Sequence, residues 1–216
     1  MIIALVNTKG GVGKSTIAVH LAVALFDAGR TVAFVDADTQ RSSSEWLQEV
    51  ERGIAVRTAN TPEQCLAVVQ ELRAEHEFII GDGPGGLDEV SRALLLLADV
   101  ALFPITPSIL DLRSVTQATD ILRFAQGING GRPEGRLVLN KLRRRGKTSR
   151  ELRAAAPSLG VAVSNAVIHE LEVYRDAAQQ GSVAARLGAR GALAAAEIAA
   201  LAEELIADTG RQVGNG

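Results

Sequence analysis

Lys9-Gly10-Gly11-Val12-Gly13-Lys14-Ser15-Thr16 packs two lysines, three glycines and two hydroxyls into eight residues. An apolar stretch, Ile2-Ile3-Ala4-Leu5-Val6, precedes it, and a helix-like run from Ile17 to Ala28 follows. Strand, glycine-rich turn, helix is the setting of a phosphate-binding P-loop. Backbone N–H groups in such a turn point at an anion, and the helix adds the positive end of its dipole. Lys14 is placed to reach the β- and γ-phosphates of a nucleotide, and the Ser15 hydroxyl to ligate Mg²⁺. The strict pattern G-x-x-x-x-G-K-[ST] has a glycine where this chain has Thr8, so the loop is a variant that carries a second lysine, Lys9.

Acids close two further apolar runs. Thr31 to Asp36 leads into Ala37-Asp38-Thr39-Gln40. Side chains two apart on a strand end point the same way, which predicts Asp36 and Asp38 facing the nucleotide together. One would orient a water of the Mg²⁺ shell and the other the attacking water. Ile79-Ile80-Gly81-Asp82 is a hydrophobic run closed by one acid, the Walker B form, with Asp82 holding Mg²⁺ through water. Gly83, Gly85 and Gly86 then make a loop suited to sensing a γ-phosphate. Leu139-Asn140-Lys141-Leu142 ends another strand. A guanine site would want an aspartate at 143, which is arginine, so adenine is expected, with Asn140 at the base edge.

Elements of alternating type must position these residues. Strands are predicted at Ile2–Val6, Thr31–Asp36, Glu77–Asp82, Val100–Ile105 and Arg136–Asn140, with a last, shorter one at Val161–Val163. Helical patterns lie near Glu45–Val50, Pro62–Ala74, Glu89–Leu97, Leu110–Ala125, Ser149–Ala156 and Leu193–Ala207. Near-continuous apolar strands separated by helices imply a doubly wound α/β fold, a mostly parallel sheet with helices on both faces. Ligands in such sheets bind at the carboxyl ends of strands, where every motif above falls. The 216 residues read as one domain, 1–208, and a frayed tail, 209–216. No signal peptide and no membrane-length apolar run is seen, which makes the cytoplasm the expected location. The lone cysteine, Cys65, excludes a disulfide within the chain and reads as core packing.

The motifs Lys9–Ser15, Asp36–Gln40, Ile80–Gly83 and Phe103-Pro104-Ile105-Thr106-Pro107-Ser108-Ile109-Leu110-Asp111 together resemble the ParA/MinD family of deviant Walker A P-loop ATPases. The likeness is strongest to the short, ParF-like partition ATPases, and it spans residues 1–206. It implies a homodimer with two ATP molecules and Mg²⁺ buried between the subunits. Lys9 would be the signature lysine that reaches the partner's nucleotide, and Lys14, Ser15 and Thr16 would hold phosphate and Mg²⁺. Asp38 would position the hydrolytic water, with Asp36 its neighbour on the Mg²⁺ side. Asp111 would pair with a signature lysine of one or other subunit. The usual proline after Asp38 is Thr39 here, which removes no reacting group. A nitrogenase-type iron protein needs a pair of cysteines per subunit, and a MinD-like membrane ATPase needs a basic amphipathic C-terminal helix. The last helix here is instead alanine-rich and carries Glu197, Glu203, Glu204 and Asp208.

Charge is concentrated in one place. Lys141, Arg143, Arg144, Arg145, Lys147, Arg150 and Arg153 face only Glu151, a local balance of +6 in a chain of net charge −2. Arg143, Arg144, Arg145, Lys147 and Arg150 are therefore the expected contacts to nonspecific DNA phosphates, with Arg175, Arg186 and Arg190 as an extension. The primary expectation is a nucleoid-associated DNA-segregation ATPase with a small, ParB-like DNA-binding partner. The alternative is a ParA-like positioning ATPase that carries a protein cargo, a chemoreceptor cluster or a microcompartment, through an adaptor. No membrane is expected as a partner.

Overall fold

The computed structural model describes residues 1–7, 10–86, 88–106, 112–143 and 161–213, with the backbone alone described at 112–116, 118 and 209–213. The elements run β1 (Ile2–Leu5), α1 (Lys14–Asp27), β2 (Val32–Asp36), α2 (Ser42–Val50), β3 (Ala55–Thr58), α3 (Pro62–Arg73), β4 (Phe78–Asp82), α4 (Glu89–Leu97), β5 (Val100–Ile105), α5 (Leu112–Ile128), β6 (Glu134–Leu142), β7 (Ala162–His169), α6 (Val173–Gln179) and α7 (Ala192–Val213). The strands form one sheet in the order β3-β2-β4-β1-β5-β6-β7. Every pairing in it is parallel. This is the doubly wound α/β sandwich that the alternating pattern predicts.

Period-two alternation decides which helix meets which side chain. Ile2, Ala4 and Val6 pack with Cys65, Val69 and Leu72 of α3, Leu94 and Leu95 of α4, and Leu122 of α5. Ile3 and Leu5 face the other way, onto Ile17, Leu21 and Leu25 of α1, Leu47 of α2, and Leu201 and Leu205 of α7. Both faces of the central strands are thus dry, which is why β1 shows no polar alternation. Cys65 is fully buried, and burial pushes its thiol up to about 11, consistent with packing rather than chemistry.

Several boundaries differ from expectation. The short edge strand β3 was not anticipated: its four residues are half-buried or exposed and include Arg57 and Thr58. β7 runs to His169, well past Val163, because its polar Ser164 and Asn165 sit in an edge strand partly covered by α7. The sequence pattern also missed α6. Helix α7 continues to Val213, five residues past 208. The predicted helix Ser149–Ala156 lies outside the described residues.

The acids of α7 are the main departure. Glu204 accepts from Ser164 Oγ at 2.8 Å and from the Ala166 amide at 2.6 Å. Asp208 pairs with Arg136 at 2.7 Å, and Glu197 with His169 at 2.6 Å. These three side chains fasten α7 to β6 and β7; Glu203 alone of the four is exposed. The helix therefore does not present the acidic outer face that its composition suggests.

Candidate nucleotide site

The P-loop follows β1 and opens into α1 at Lys14. Gly13 sits at φ +90°, and a Cβ there would lie 2.4 Å from Asn140 Nδ2. Conformation and space both demand glycine at this position. Lys14 is buried, whereas Ser15 and Thr16 are half-buried at the helix start. The sequence placed Asn140 at a base edge. Its amide is also tied to the loop: Nδ2 donates to the Val12 carbonyl at 2.7 Å and Oδ1 accepts from the Lys141 amide at 2.9 Å. Lys141 itself, at φ +53°, donates its ammonium to the Gly11 carbonyl at 2.8 Å. It belongs to the phosphate loop, not to the basic patch in which its charge was counted.

Asp36 and Asp82 end adjacent strands in register and are both fully buried. Asp36 is satisfied: Oδ1 accepts from the Asp38 amide at 3.0 Å and Oδ2 from the Ser44 amide at 2.8 Å. The strand stops at Asp36, so the period-two expectation does not reach Asp38. A turn joins the two acids instead, and the half-buried Asp38 accepts from the Gln40 amide at 3.0 Å. Asp82 is the opposite case: neither oxygen has a partner at full hydrogen-bonding geometry among the described residues. Burial pushes its carboxyl up to about 6; the nearby hydroxyls of Ser15 and Ser43 and the Lys14 ammonium moderate the rise, and the Asp36 charge adds to it. A buried acid beside a P-loop serine offers the all-oxygen donor set that Mg²⁺ and its waters take, so these residues fit the ion. After Asp82, the Gly83 amide donates to the Leu5 carbonyl at 3.1 Å. A Cβ at Gly85 would stand 3.4 Å from the Gly10 Cα, so this loop packs directly on the P-loop.

A cleft of about 540 Å³ opens beside Gly13 and Thr16. Asn140, Lys141, His169 and Tyr174 are among its lining residues. Beneath it lies a cluster that sequence reasoning missed. His20 Nδ1 meets the Thr16 carbonyl at 2.8 Å, and Nε2 accepts from the Ala184 amide at 3.1 Å. Both bonds suit the neutral ring, and burial lowers its pKa to about 4. Its ring is edge-on to Trp46 of α2 and to Tyr174 of α6. The i, i+4 spacing from Thr16 was the available signal.

Lys9, Asp111, Arg144, Arg145, Lys147 and Arg150 lie outside the described residues. Arg143 is exposed, 4.0 Å from Glu170. Arg175, Arg186 and Arg190, the expected extension of the basic patch, are exposed, and each lies near a carboxylate. Arg175 faces Glu172 at 3.8 Å, Arg186 pairs with Asp27 at 2.7 Å, and Arg190 with Asp176 at 2.5 Å. Each of these cations already has a carboxylate.

The family described as the CobQ/CobB/MinD/ParA nucleotide binding domain matches residues 3–185. The chain belongs to this family: it is a P-loop ATPase whose ligands are ATP and Mg²⁺. It is 33% identical over 211 residues to the maintenance of carboxysome distribution protein A of Halothiobacillus neapolitanus, covering 94% of this chain and 95% of that one. The cell division ATPase MinD of Pyrococcus furiosus superposes with a TM-score of 0.71 at 26% identity, covering 94% of this chain and 98% of that one. The septum site-determining protein MinD of Pyrococcus horikoshii, in complex with Mg-ADP, has the same fold, with a TM-score of 0.71 at 24% identity over 94% of this chain and 95% of that one. No helix among the described residues is long and apolar enough to cross a membrane.

Proposed function

We propose that this chain is a positioning ATPase for a protein cargo, of the microcompartment kind. The observation that carries this reading is its 33% identity to a carboxysome distribution protein, over nearly the full length of both chains. The sequence motifs alone put DNA segregation first and protein cargo second; this likeness reverses the order. In this reading Lys14 neutralises the β- and γ-phosphates, while Ser15 and, through water, Asp82 and Asp36 hold Mg²⁺, which supplies charge neutralisation at the developing phosphate. Asp36 also anchors the 37–44 segment, so that Asp38 is presented to orient the attacking water. Lys9 reaches across a homodimer closed by ATP, and Asp111 pairs with a signature lysine. Arg143, Arg144, Arg145, Lys147 and Arg150 meet nonspecific DNA, the track along a nucleoid. A cargo adaptor takes the place of a ParB-like partner and triggers hydrolysis and release.

Deleting the gene in its host, then scoring both the spacing of labelled microcompartments or receptor clusters and plasmid retention, tests this. Clumped cargo with normal plasmid retention is expected. Plasmid loss with normally spaced cargo would return the protein to DNA segregation. Mobility shift of nonspecific duplex with Mg-ATP, weakened by ADP, tests the track, and vesicle sedimentation run beside it tests the membrane alternative.

A further inference from the structure

The cleft beside the P-loop is lined by His169, a ring whose tautomer is set by a neighbouring carboxylate. Glu197 reaches from α7 and uses both carboxylate oxygens on one residue. Oε2 accepts from the His169 backbone amide at 3.0 Å, and Oε1 lies 2.6 Å from His169 Nδ1. A carboxylate only accepts, so Nδ1 carries a hydrogen. In the neutral ring, Nε2 is then left as a lone-pair acceptor, and it has no partner among the described residues.

Several other polar groups of the cleft have partners within the protein. Asn140 uses its amide on Val12 and Lys141, and Lys141 uses its ammonium on Gly11. The Tyr174 hydroxyl donates to the Ala194 carbonyl at 3.4 Å. Glu170 faces Arg143, and Glu172 faces Arg175.

We propose that His169 selects adenine in this cleft, and that Glu197 is the positioning residue that makes it do so by fixing the ring tautomer. This rests on the ATPase assignment and on the cleft holding the base of a nucleotide whose phosphates occupy the P-loop. An acceptor at Nε2 takes a hydrogen from the exocyclic amine of adenine and opposes the carbonyl that guanine and hypoxanthine carry at the same ring position. A site built around one such group discriminates by leaving the wrong partner unpaired.

Replacement of Glu197 by glutamine gives the sharpest consequence. The His169 backbone amide can only donate, so it claims the single glutamine oxygen. The glutamine NH₂ then faces Nδ1, and the ring answers by moving its proton to Nε2. The cleft now offers a donor where it offered an acceptor.

The experiment is titration calorimetry of the full chain with Mg-ATP, Mg-ITP and inorganic triphosphate. ITP exchanges the exocyclic amine for a carbonyl. Wild type should bind ATP about tenfold more tightly than ITP, the worth of one hydrogen bond gained against one acceptor pair opposed. His169→Phe should bring the two within about twofold while inorganic triphosphate binds as before. Glu197→Gln should shift preference toward ITP, an outcome that a merely structural role for Glu197 would not give. Equal affinities of wild type for ATP and ITP would overturn the proposal without any variant. So would a His169→Phe protein that keeps the wild-type ratio, and in both cases ATP binding would leave the ATPase reading standing. A wild-type protein that binds no triphosphate at all would overturn both.

Discussion

Lys141 Nζ donates to the Gly11 carbonyl at 2.8 Å, fastening the end of β6 to the phosphate loop. Asn140, one residue earlier, holds the next carbonyl, that of Val12. The two bonds hold consecutive carbonyls so that the opposite faces of those peptides stay turned toward an anion. Lys141→Met should therefore weaken Mg-ATP binding by about tenfold, the value of a charge-assisted hydrogen bond. The salt dependence of any DNA binding should stay as in wild type. Arg143→Ala should do the reverse, leaving ATP affinity intact. Calorimetry and a salt series of mobility shifts separate the two.

Asp82→Asn tests the buried acid at the end of β4. Burial raises the folded-state pKa of Asp82 to about 6, above that of an unfolded carboxylate. Its contribution to the stability of the Mg²⁺-free protein is therefore greatest in acid and is lost as pH rises through about 6. Asp82→Asn should melt higher than wild type at pH 7.5 without Mg²⁺, and the gap should close toward pH 5. The same variant should lose Mg²⁺-dependent hydrolysis, and wild type should bind Mg²⁺ more weakly below pH about 6. A variant that melts lower at pH 7.5 would contradict this account of the site.

Lys14→Ala should abolish binding of ATP and ADP in calorimetry, because the β-phosphate loses its main cation. Retained tight binding would remove Lys14 from the phosphate site.

Asp38→Ala should bind Mg-ATP yet hydrolyse it at least a hundredfold more slowly, the usual worth of a group that positions or activates the attacking water. Turnover equal to wild type would exclude Asp38 from that role.

Lys9→Ala should bind nucleotide and stay monomeric. Light scattering with Mg-ATP checks this, and an ATP-dependent dimer of normal mass would sink the cross-subunit assignment.

What the sequence made legible follows from the reach of its physics. The P-loop, Asp36 and Asp82 are read from runs of neighbours, because a strand end and a helix start are local events. The central strands are visible for the same reason: buried on both faces, they are apolar throughout. β3 is hidden because an edge strand of four residues needs no such pattern. Lys141, His169 and Glu197 are hidden because their roles depend on bonds between residues 28 to 130 positions apart. Charge counting did not reveal the partners of Lys141, Arg175, Arg186, Arg190 and three of the four acids of α7, since a tally of charges does not see which carboxylate meets which cation.

Trp46 is the chain's one tryptophan. It sits on α2, just beyond the Asp36–Ser44 anchor, with its indole nitrogen donating to the Ser182 carbonyl at 2.9 Å and its ring against His20. Tryptophan emission from this protein therefore comes from a single position, on the helix that follows the Asp36–Ser44 segment. Any shift of α2 on loading or hydrolysis alters the hydrogen bond and the solvent around that one fluorophore. Stopped-flow tryptophan fluorescence on unlabelled wild-type protein would report such a shift directly.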